Sequence, residues 1–562
     1  MPYGVSSQYN AETFGYGVYG NSTAPPTSPP RYEGVPSCAN KGLLTDLARE
    51  KWGFDGYVTT DCGAADYVAG FLSGHGYAHS PADTVHAVLG AGVDTDCGGF
   101  GTPNWSNTTL LELMTNGSTH ALIEPLIDAS LARLFTVRMR LGQFDPPSSQ
   151  PWGGYGLERV DTPGHRALAM DAALQGFVLL QNDKVTLPLK PGAKIAVLGP
   201  NSNSAAWQLG NYHERTTPAG VLVSPCDGLK AVADGGASAV SCVTPQNCSV
   251  GGNSSVSTCF DSASKQAVGA ADVVVLFVGV DGSQEAEGHD RTSLLLPGTQ
   301  LAMVADVTAA AAAAGDTPVV VVVMGGSPVD LSAIKTNPSV RAIMWVGYPG
   351  QASGNAIAHA LVGSVNKFGK LPMTWYDEGF CKAANLTDYR MRPDVASGYP
   401  GRTHRFYTGT PVYTFGAGLS YTSFEHSLEW AAQEGFAVAG QAVVLSIDED
   451  AGAGADRVVA SVAVQVRNTG ARAGDEVALL FVCAPPSAVA LGAPKQQLAA
   501  FERLSLGAGA SATITLAITQ RHLSLAALAS GGALSAGWHV RVNEDEGSAL
   551  EFGVQKRNGN AQ

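Results

Sequence analysis

The central part of the chain alternates helical patterns with short segments that are apolar at every position. The run His165–Leu179 and the six alanines Ala309–Ala314 predict two of the helices. The predicted strands are Lys194–Leu198, Val273–Gly279, Val319–Met324 and Ala342–Val346. Strands that are apolar on both faces and are separated by helices are typical of a mostly parallel sheet that is covered on both sides. We therefore predict an α/β sandwich domain at residues 160–395.

In the last part of the chain the pattern changes to an alternation of apolar and polar positions. The predicted strands are Val458–Val466, Glu476–Cys483, Gln496–Leu504, Ala512–Ile518 and Trp538–Asn543. Turn sequences such as NTGARAGDE separate them, and helical patterns are scarce. Many short strands with frequent turns favour a β-sandwich of immunoglobulin or fibronectin type. We predict this domain at residues 426–556, joined to the α/β domain by a linker at 396–425.

The first region, residues 1–145, combines helical patterns with two short strands that end in acidic residues. One strand lies in GFDGYVTTD and ends at Asp61, and the other lies in AGVDTDCG at 91–98. The predicted helices are Gly42–Trp52, Thr84–Leu89, Thr109–Met114 and Pro125–Leu141. Residues 11–33 are rich in Gly, Ser, Thr and Pro without an apolar period, which predicts a low-complexity insert. A Pro-rich stretch indicates a linker at 146–159.

The composition indicates a globular chain of several domains. Its 562 residues are 45% hydrophobic and 15% charged, which excludes a disordered chain. Lys and Arg number 34 against 48 Asp and Glu, and the net charge of −14 disfavours nucleic acid and anionic membranes as partners. The most apolar runs are too short to cross about 30 Å of hydrocarbon. The first ten residues, MPYGVSSQYN, have neither the charged nor the apolar region of a secretory signal.

Other features are typical of exported proteins. Asn-x-Ser/Thr sequons begin at Asn21, Asn104, Asn107, Asn116, Asn247, Asn253 and Asn385. Four of the nine cysteines lie in the polar segment 226–259, without a C-x-x-C pair or a neighbouring His, so disulfides are favoured over zinc. We expect His289 and His404 to form hydrogen bonds in loops rather than to bind a metal. These observations predict an extracellular or secretory-pathway protein without a metal site.

Two acidic positions are candidates for chemistry. Asp61 ends a predicted strand, at the edge where parallel sheets and barrels present reactive groups. The sequence EAEGHDR, residues 285–291, follows the apolar strand ADVVVLFVGV. Each feature alone is more often a cap or a solvated loop. Glycoside hydrolysis, however, needs one ionised and one protonated carboxyl group on opposite sides of an anomeric carbon. We expect the two positions, on separate domains, to meet across a cleft.

Long segments of the chain also carry a resemblance. They include GVPSCANKGLLTDLAREKWGFDGYVTTDCGA, AGVDTDCG, HRALAMDAALQGFVLLQND, EAEGHDR with LLLPGTQ, YPGQASGNAIAHALVGSVNKFGKLPMTWY and VRNTGARAGDEVALLFV. These segments resemble glycoside hydrolase family 3, in the branch of β-xylosidases and α-L-arabinofuranosidases, and the last is similar to the family's fibronectin-III-like domain. The resemblance covers roughly residues 34–555. It implies a retaining exo-glycosidase that releases terminal β-D-xylosyl or α-L-arabinofuranosyl residues of xylan-type polysaccharides by double displacement.

Carried over position by position, the resemblance assigns roles to single residues. Asp61 matches the family's nucleophile. The pattern E-G-x-D-R matches Glu287 as the acid/base, with Glu285 as the alternative. Expected substrate contacts are Cys62, Asp290 and Arg291. The resemblance implies a carbohydrate substrate and neither a metal nor an organic cofactor. The acid must be protonated while Asp61 stays ionised.

The implied architecture is multidomain, α/β plus all-β: part of a (β/α)8 barrel, an α/β sandwich with a mostly parallel sheet, and a fibronectin-III-like β-sandwich. A closed barrel usually takes about 250 residues. We therefore expect residues 1–145 to be the incomplete C-terminal part of a barrel, with open edges that fold poorly. The chain is then expected to be weakly active or inactive.

Two other functions remain open from the sequence. One is a β-glucosidase of the same family, and the other is a non-catalytic carbohydrate-binding or structural remnant. The sequence also leaves open whether Cys62 and Cys97 are bridged to each other, are bridged to Cys38, or are buried thiols. Asp94 and Asp96 are expected to cap a turn or to line the site. The oligomeric state does not follow from the sequence.

Overall fold

The computed structural model describes residues 35–62, 64–69, 76–97, 107–213, 222–234, 239–244, 248, 250–251, 259–287, 289–385, 388, 390–431, 438–439, 442–447, 456–523 and 535–556. The low-complexity insert predicted at 11–33 lies outside these residues. The chain divides into two compact units, Met1–Arg159 and Val160–Gln562. The boundary falls at the end of the segment 146–159 that was predicted to be a linker.

The described part of the first unit contains four main helices. They are α1 (Gly42–Lys51), α2 (Pro81–Ala91), α3 (Asn107–Thr115) and α4 (Gly117–Arg140). Helix α1 has the wide turns of a π-helix. Helix α2 begins after Ser80, whose hydroxyl accepts from the Asp83 N–H, and it ends at Gly92 in the left-handed region. The four helices predicted in this region are present, and α2, α3 and α4 are longer than the sequence indicated.

The two strands predicted in the first unit are shorter than expected. They are reduced to one parallel bridge between Thr59 and Thr95, in which the Thr60 N–H donates to the Thr95 carbonyl at 3.1 Å. The Asp94 carboxylate accepts from the Val58 N–H at 2.8 Å. The Asp94 side chain thus accepts from a backbone N–H that would donate to a backbone carbonyl oxygen in a regular ladder. Apolar residues behind the bridge, including Val93, are buried.

The second unit begins with a mixed six-stranded sheet. Its strands are β1 (Val178–Asn182), β2 (Ile195–Leu198), β3 (Val240–Val243), β4 (Val273–Gly279), β5 (Val319–Met324) and β6 (Val340–Gly347). Their order is β1-β6-β5-β4-β2-β3, with β1 antiparallel and the other neighbours parallel. The accompanying helices are α5 (Pro163–Gly176), α6 (Pro225–Asp234), α7 (Ser262–Ala270), α8 (Gln300–Ala313), α9 (Ser332–Lys335), α10 (Ser353–Val362), α11 (Gly379–Ala383) and α12 (Thr403–Phe406).

Both faces of this sheet are buried, which explains the unbroken apolar runs. Along β4, Val274 and Leu276 pack on one side against residues of α7 and α8. Val275 and Phe277 pack on the other side against residues of α5, α6 and α10. The prediction of a mostly parallel sheet covered on both faces is confirmed.

The sequence misplaced the end of the first helix of this domain and missed two strands of the sheet. The helix predicted at His165–Leu179 ends at Gly176, and Val178 begins the antiparallel edge strand β1. The apolar run continues from helix to strand without a polar break, so periodicity does not mark the change. Strand β3 was missed because its four residues are only partly buried and are not an apolar run.

The end of the second unit is a β-sandwich. Its strands are β7 (Phe424–Trp430), β8 (Val438–Ala439), β9 (Ala442–Ile447), β10 (Val458–Asn468), β11 (Gly474–Cys483), β12 (Gln496–Leu506), β13 (Ser511–Thr519), β14 (Ser535–Val542) and β15 (Asp545–Lys556), with the short helix α13 (Pro486–Ala490). The sheets have the orders β13-β10-β7 and β12-β11-β14-β15-β9-β8. They share one core that contains Trp538 and Ile518. The predicted all-β domain is confirmed, and the sequence missed β7, β8, β9 and β15.

The segment 396–425, predicted to be a linker, packs along the α/β domain. The Leu419 N–H donates to the Leu179 carbonyl at 2.7 Å. Trp375 and Tyr413 form an antiparallel β-bridge. Arg503 of β12 also reaches the α/β domain, donating to the carbonyls of Lys367 and Gln175. The α/β domain and the β-sandwich are therefore joined by many polar contacts within one compact unit.

Three disulfides connect described cysteines. They are Cys62–Cys97, Cys226–Cys242 and Cys248–Cys259. The expectation of disulfides in the segment 226–259 is confirmed, and the buried Cys38 is not part of a disulfide. Within the described ranges, no helix has the length and apolar character that a membrane crossing requires.

Candidate active site

Asp61 lies directly after the parallel bridge of the first unit. Its side chain is partly exposed, and Oδ1 accepts from the Cys62 N–H at 2.7 Å. The Cys62–Cys97 disulfide ties the segment after Thr59 to the segment after Thr95. Asp61 therefore lies at the end of a short extended segment, which the disulfide links to the neighbouring segment around Thr95. No other hydrogen bond to its carboxylate occurs within the described residues.

Asp94 and Asp96 stabilise the two bridged segments. The Asp94 side chain is fully buried and accepts from Arg49 at 2.7 Å and from Arg133 at 2.8 Å. Asp96 accepts from the Thr60 hydroxyl at 2.6 Å. The expectation that Asp94 caps a turn or lines the site is therefore wrong, because its side chain is buried and both of its oxygens accept hydrogen bonds from two partly buried arginines.

The second acidic position lies on a hairpin after β4. Beyond Gly279, the Asp281 carboxylate accepts from the N–H and hydroxyl of Ser283, which turns the chain. Ala286 and His289 then pair antiparallel, and the His289 N–H donates to the Ala286 carbonyl at 2.9 Å. Glu287 falls within the turn that these bonds close. We refer to residues 285–291 as the EAEG hairpin.

The two glutamates of the EAEG hairpin have opposite surroundings. Glu287 is exposed, and within the described residues its carboxylate has no hydrogen bond or ion pair. Glu285 is largely buried, and Oε1 accepts from the Gly326 N–H at 2.6 Å and from the Tyr348 hydroxyl at 2.8 Å. Its Oε2 accepts from the Ser327 hydroxyl. Of these two glutamates, Glu287 is the one whose carboxylate has no partner among the described residues.

Tyr348 stays protonated in this arrangement. Burial raises the pKa of the phenol, and the negative charge of Glu285 raises it further. The hydroxyl is therefore a donor to Glu285 at neutral pH. Sequence reasoning missed Ser327 and Tyr348, although the MGGS sequence after β5 was a signal that backbone approaches closely there.

Arg291 and Glu378 support the far end of the hairpin. Arg291 donates to the Ser327 hydroxyl at 2.9 Å and to the Pro328 carbonyl at 3.0 Å. Glu378 accepts from the Ser293 hydroxyl at 2.9 Å and from the Leu294 N–H at 2.7 Å. The contacts of Arg291 turn its guanidinium toward the protein, which differs from the expected contact with substrate.

The other predicted site residues are scattered. Asp290 is exposed on the hairpin, and Cys62 is in the disulfide beside Asp61. His404 stacks on Phe415 at 4.2 Å between ring centroids, so the expected loop hydrogen bond is replaced by an aromatic contact. Within the described ranges, no group of three or more His, Cys, Asp or Glu residues could hold a metal ion.

Comparison with known proteins shows the family of this chain. Residues 177–421 match the glycosyl hydrolase family 3 C-terminal domain, and residues 476–540 match a fibronectin type III-like domain. The chain is 36% identical to Beta-D-xylosidase 3 of Arabidopsis thaliana over 505 residues, which are 86% of this chain and 60% of the relative. This chain belongs to glycoside hydrolase family 3. The resemblance inferred from the sequence is thereby confirmed.

Further relatives of this family 3 chain carry related names. It is 36% identical to Beta-xylosidase/alpha-L-arabinofuranosidase 2 of Medicago sativa subsp. varia over 89% of this chain and 62% of the relative. A solved GH3 exo-beta-xylosidase (XlnD), in complex with a xylobiose aziridine activity-based probe, superposes with a TM-score of 0.76 at 30% identity. That match covers 93% of this chain and 65% of the solved one. The chain thus spans about three fifths of the length of these curated relatives.

Proposed function

We propose that this family 3 chain is a retaining exo-glycosidase that releases terminal β-D-xylosyl or α-L-arabinofuranosyl residues from xylan-type polysaccharides. The observation that carries the proposal is the contrast between the two hairpin glutamates. Glu287 stands unpartnered in a turn, as a group that exchanges a proton with substrate must, whereas Glu285 is occupied. The names of the relatives supply the substrate class.

In the proposed reaction, Asp61 is the nucleophile and Glu287 is the acid/base. An Asp61 oxygen attacks the anomeric carbon while Glu287 gives its proton to the leaving oxygen, and the glycosidic bond breaks. A glycosyl ester of Asp61 results. Glu287 then takes a proton from water, whose oxygen attacks the same carbon and releases Asp61. Two inversions give net retention of configuration. The bond from the Cys62 N–H to Oδ1 orients the Asp61 carboxylate for attack.

The test is hydrolysis of 4-nitrophenyl β-D-xyloside, α-L-arabinofuranoside and β-D-glucoside by this chain, with Asp61→Asn and Glu287→Ala variants. We expect slow release from the first two glycosides, slower than by a full-length relative. We expect Asp61→Asn to lose about a thousandfold in kcat. Faster hydrolysis of the glucoside would favour the β-glucosidase alternative. Release of 4-nitrophenol from none of the three glycosides, by the wild-type chain or by Asp61→Asn, would favour the non-catalytic alternative.

We also propose that the protein passes through the secretory pathway. Seven sequons and three disulfides support this location. Treatment of the protein from its native source with an N-glycosidase should lower its apparent mass. An unchanged mass, together with free thiols at Cys226 and Cys242, would contradict the proposal.

A further inference from the structure

We infer that Glu285 is a positioning residue whose carboxylate anchors the EAEG hairpin and thereby fixes Glu287. The role given to Glu287 rests on the proposed function. The anchoring itself rests on contacts made by Glu285, and it can be measured without catalysis.

The first argument is the direction of the hydrogen bonds to Glu285. The Gly326 N–H, the Ser327 hydroxyl and the Tyr348 hydroxyl all donate to its carboxylate, and an Arg291 nitrogen lies 3.8 Å from Oε2. The Glu285 oxygens are therefore the acceptors of this cluster, and contacts with three other residues occupy the side chain.

The second argument is which loops the carboxylate connects. Glu285 follows β4, Gly326 follows β5, and Tyr348 follows β6. One side chain thus ties together the loops that leave the carboxyl ends of three neighbouring parallel strands. The fit is close, since a Cβ on Gly326 would lie 3.2 Å from the Tyr348 ring and 3.5 Å from Glu285 Oε1.

The third argument concerns the base of the hairpin. Glu285 holds the chain before the turn and Arg291 holds the chain after it, and both contact the Ser327 hydroxyl. Glu287 has no partner of its own within the described residues. Its orientation is therefore inherited from these two anchors. A general acid must be held within hydrogen-bond reach of the leaving oxygen, so a loose hairpin would slow proton transfer.

The first measurement is amide hydrogen exchange of the peptide that covers residues 281–292. We expect Glu285→Ala to speed exchange there about tenfold or more, because the anchor is lost. Glu285→Gln should give an intermediate increase, because its carbonyl oxygen still accepts from Gly326. The matched control, Glu287→Ala, should leave exchange unchanged. Thermal melting of each variant tests whether the α/β domain remains folded.

The second measurement separates positioning from proton transfer. With 2,4-dinitrophenyl β-D-xyloside, the Glu287→Ala variant should be accelerated by azide. Azide attacks the anomeric carbon of the Asp61 ester, a C–N bond forms, the bond to the carboxylate breaks, and xylosyl azide is released. Glu285→Ala should lose about 10- to 100-fold in kcat, form no xylosyl azide, and keep the alkaline limb of its pH–rate profile because Glu287 is intact.

The outcomes separate the two hypotheses. Unchanged exchange in Glu285→Ala overturns the anchoring, whether or not the chain hydrolyses glycosides. Azide rescue of Glu285→Ala instead of Glu287→Ala also overturns it, and identifies Glu285 as the acid/base. Faster exchange in Glu285→Ala, in a chain without turnover on any glycoside, supports the anchoring and contradicts the proposed function alone.

Discussion

Single side chains determine how far the sequence could predict the site. EAEGHDR marked the acidic position, but two glutamates two residues apart cannot be distinguished by pattern. The difference between Glu285 and Glu287 comes from Ser327 and Tyr348, which lie 42 and 63 positions along the chain from Glu285. For the same reason the sequence did not reveal the role of Asp94, whose partner Arg133 is 39 positions away. Such contacts depend on tertiary structure, which periodicity does not encode.

The buried Asp94 makes a prediction about the stability of the first unit. Asp94→Asn removes the charge between Arg49 and Arg133, and it should lower the free energy of unfolding by about 3 kcal/mol, because two guanidinium groups lose their buried partner. Denaturant unfolding followed by circular dichroism measures this change. The control is Asp55→Asn at the exposed pair with Arg140, which should leave the free energy of unfolding almost unchanged because solvent screens the pair. Equal effects at the two sites would contradict the account.

His404 makes a prediction about acid stability. Burial lowers its pKa to about 4, and the charges of Arg405 and Lys495 act in the same direction. Between pH 6.5 and about 4 the unfolded chain binds a proton at this position and the folded chain does not. The free energy of unfolding should therefore fall as the pH is lowered through this window, by about 1–2 kcal/mol after a discount for screening by solvent. Urea unfolding at pH 7 and pH 4.5 measures the fall.

His404→Phe is the matched control for this prediction. The phenyl ring can keep the stack on Phe415, but it cannot titrate. The variant should therefore lose less stability than the wild-type chain between pH 7 and pH 4.5. The account of His404 is refuted if both proteins lose the same amount.

At the scale of elements, the burial of a strand determined whether the sequence predicted it. Strands β4 and β5 were predicted with the correct ends because both of their faces are buried and every position is apolar. Strand β1 was missed because its apolar residues continue those of α5. Strand β7 was missed because the polar His426 stands at one of its less exposed positions and interrupts the apolar alternation of the sequence, and the strand is defined by its pairing with β10. Edge strands depend on their neighbours more than on their own pattern.

The position of the EAEG hairpin depends on how β4 ends, and Gly279 is the last residue of this strand. Its φ is 146°, and a Cβ there would lie 1.8 Å from the Met324 carbonyl oxygen of β5. Gly279→Ala should therefore lower the free energy of unfolding by about 3 kcal/mol or more, since backbone must move. Gly282→Ala is the control, because no atom lies within 4 Å of the Cβ it would add. Thermal or urea unfolding compares them, and similar losses would count against this explanation.

At the scale of the whole molecule, the α/β domain and the β-sandwich are expected to unfold together. Arg503 donates to the carbonyls of Lys367, Phe368 and Gln175, and it pairs with the nearly buried Asp475. Arg503→Met removes these contacts and should split unfolding into two calorimetric transitions or lower the shared one. The control Arg467→Met, at an exposed position of β10, should leave a single transition. A single unshifted transition in Arg503→Met would show that other contacts couple the domains.

The domain order was predictable from the sequence because each domain has its own hydrophobic period. The fully apolar strands indicated the α/β domain, and the alternating strands after Val458 indicated the sandwich. The segment 396–425 was not recognisable as packed structure, since its contacts, such as that between Leu419 and Leu179, are made with distant backbone. The conformation of a short segment without a hydrophobic period depends on the surface against which it packs.

The central claim is that Asp61 is the nucleophile of a retaining glycosidase. The most direct measurement is peptide mapping after incubation with 2,4-dinitrophenyl 2-deoxy-2-fluoro-β-D-xyloside, whose fluorine slows breakdown of the glycosyl ester. We predict that the peptide containing Asp61 gains one fluoroxylosyl group and that Asp61→Asn gains none. A chain that stays unlabelled, or a label on another carboxylate, would contradict the claim.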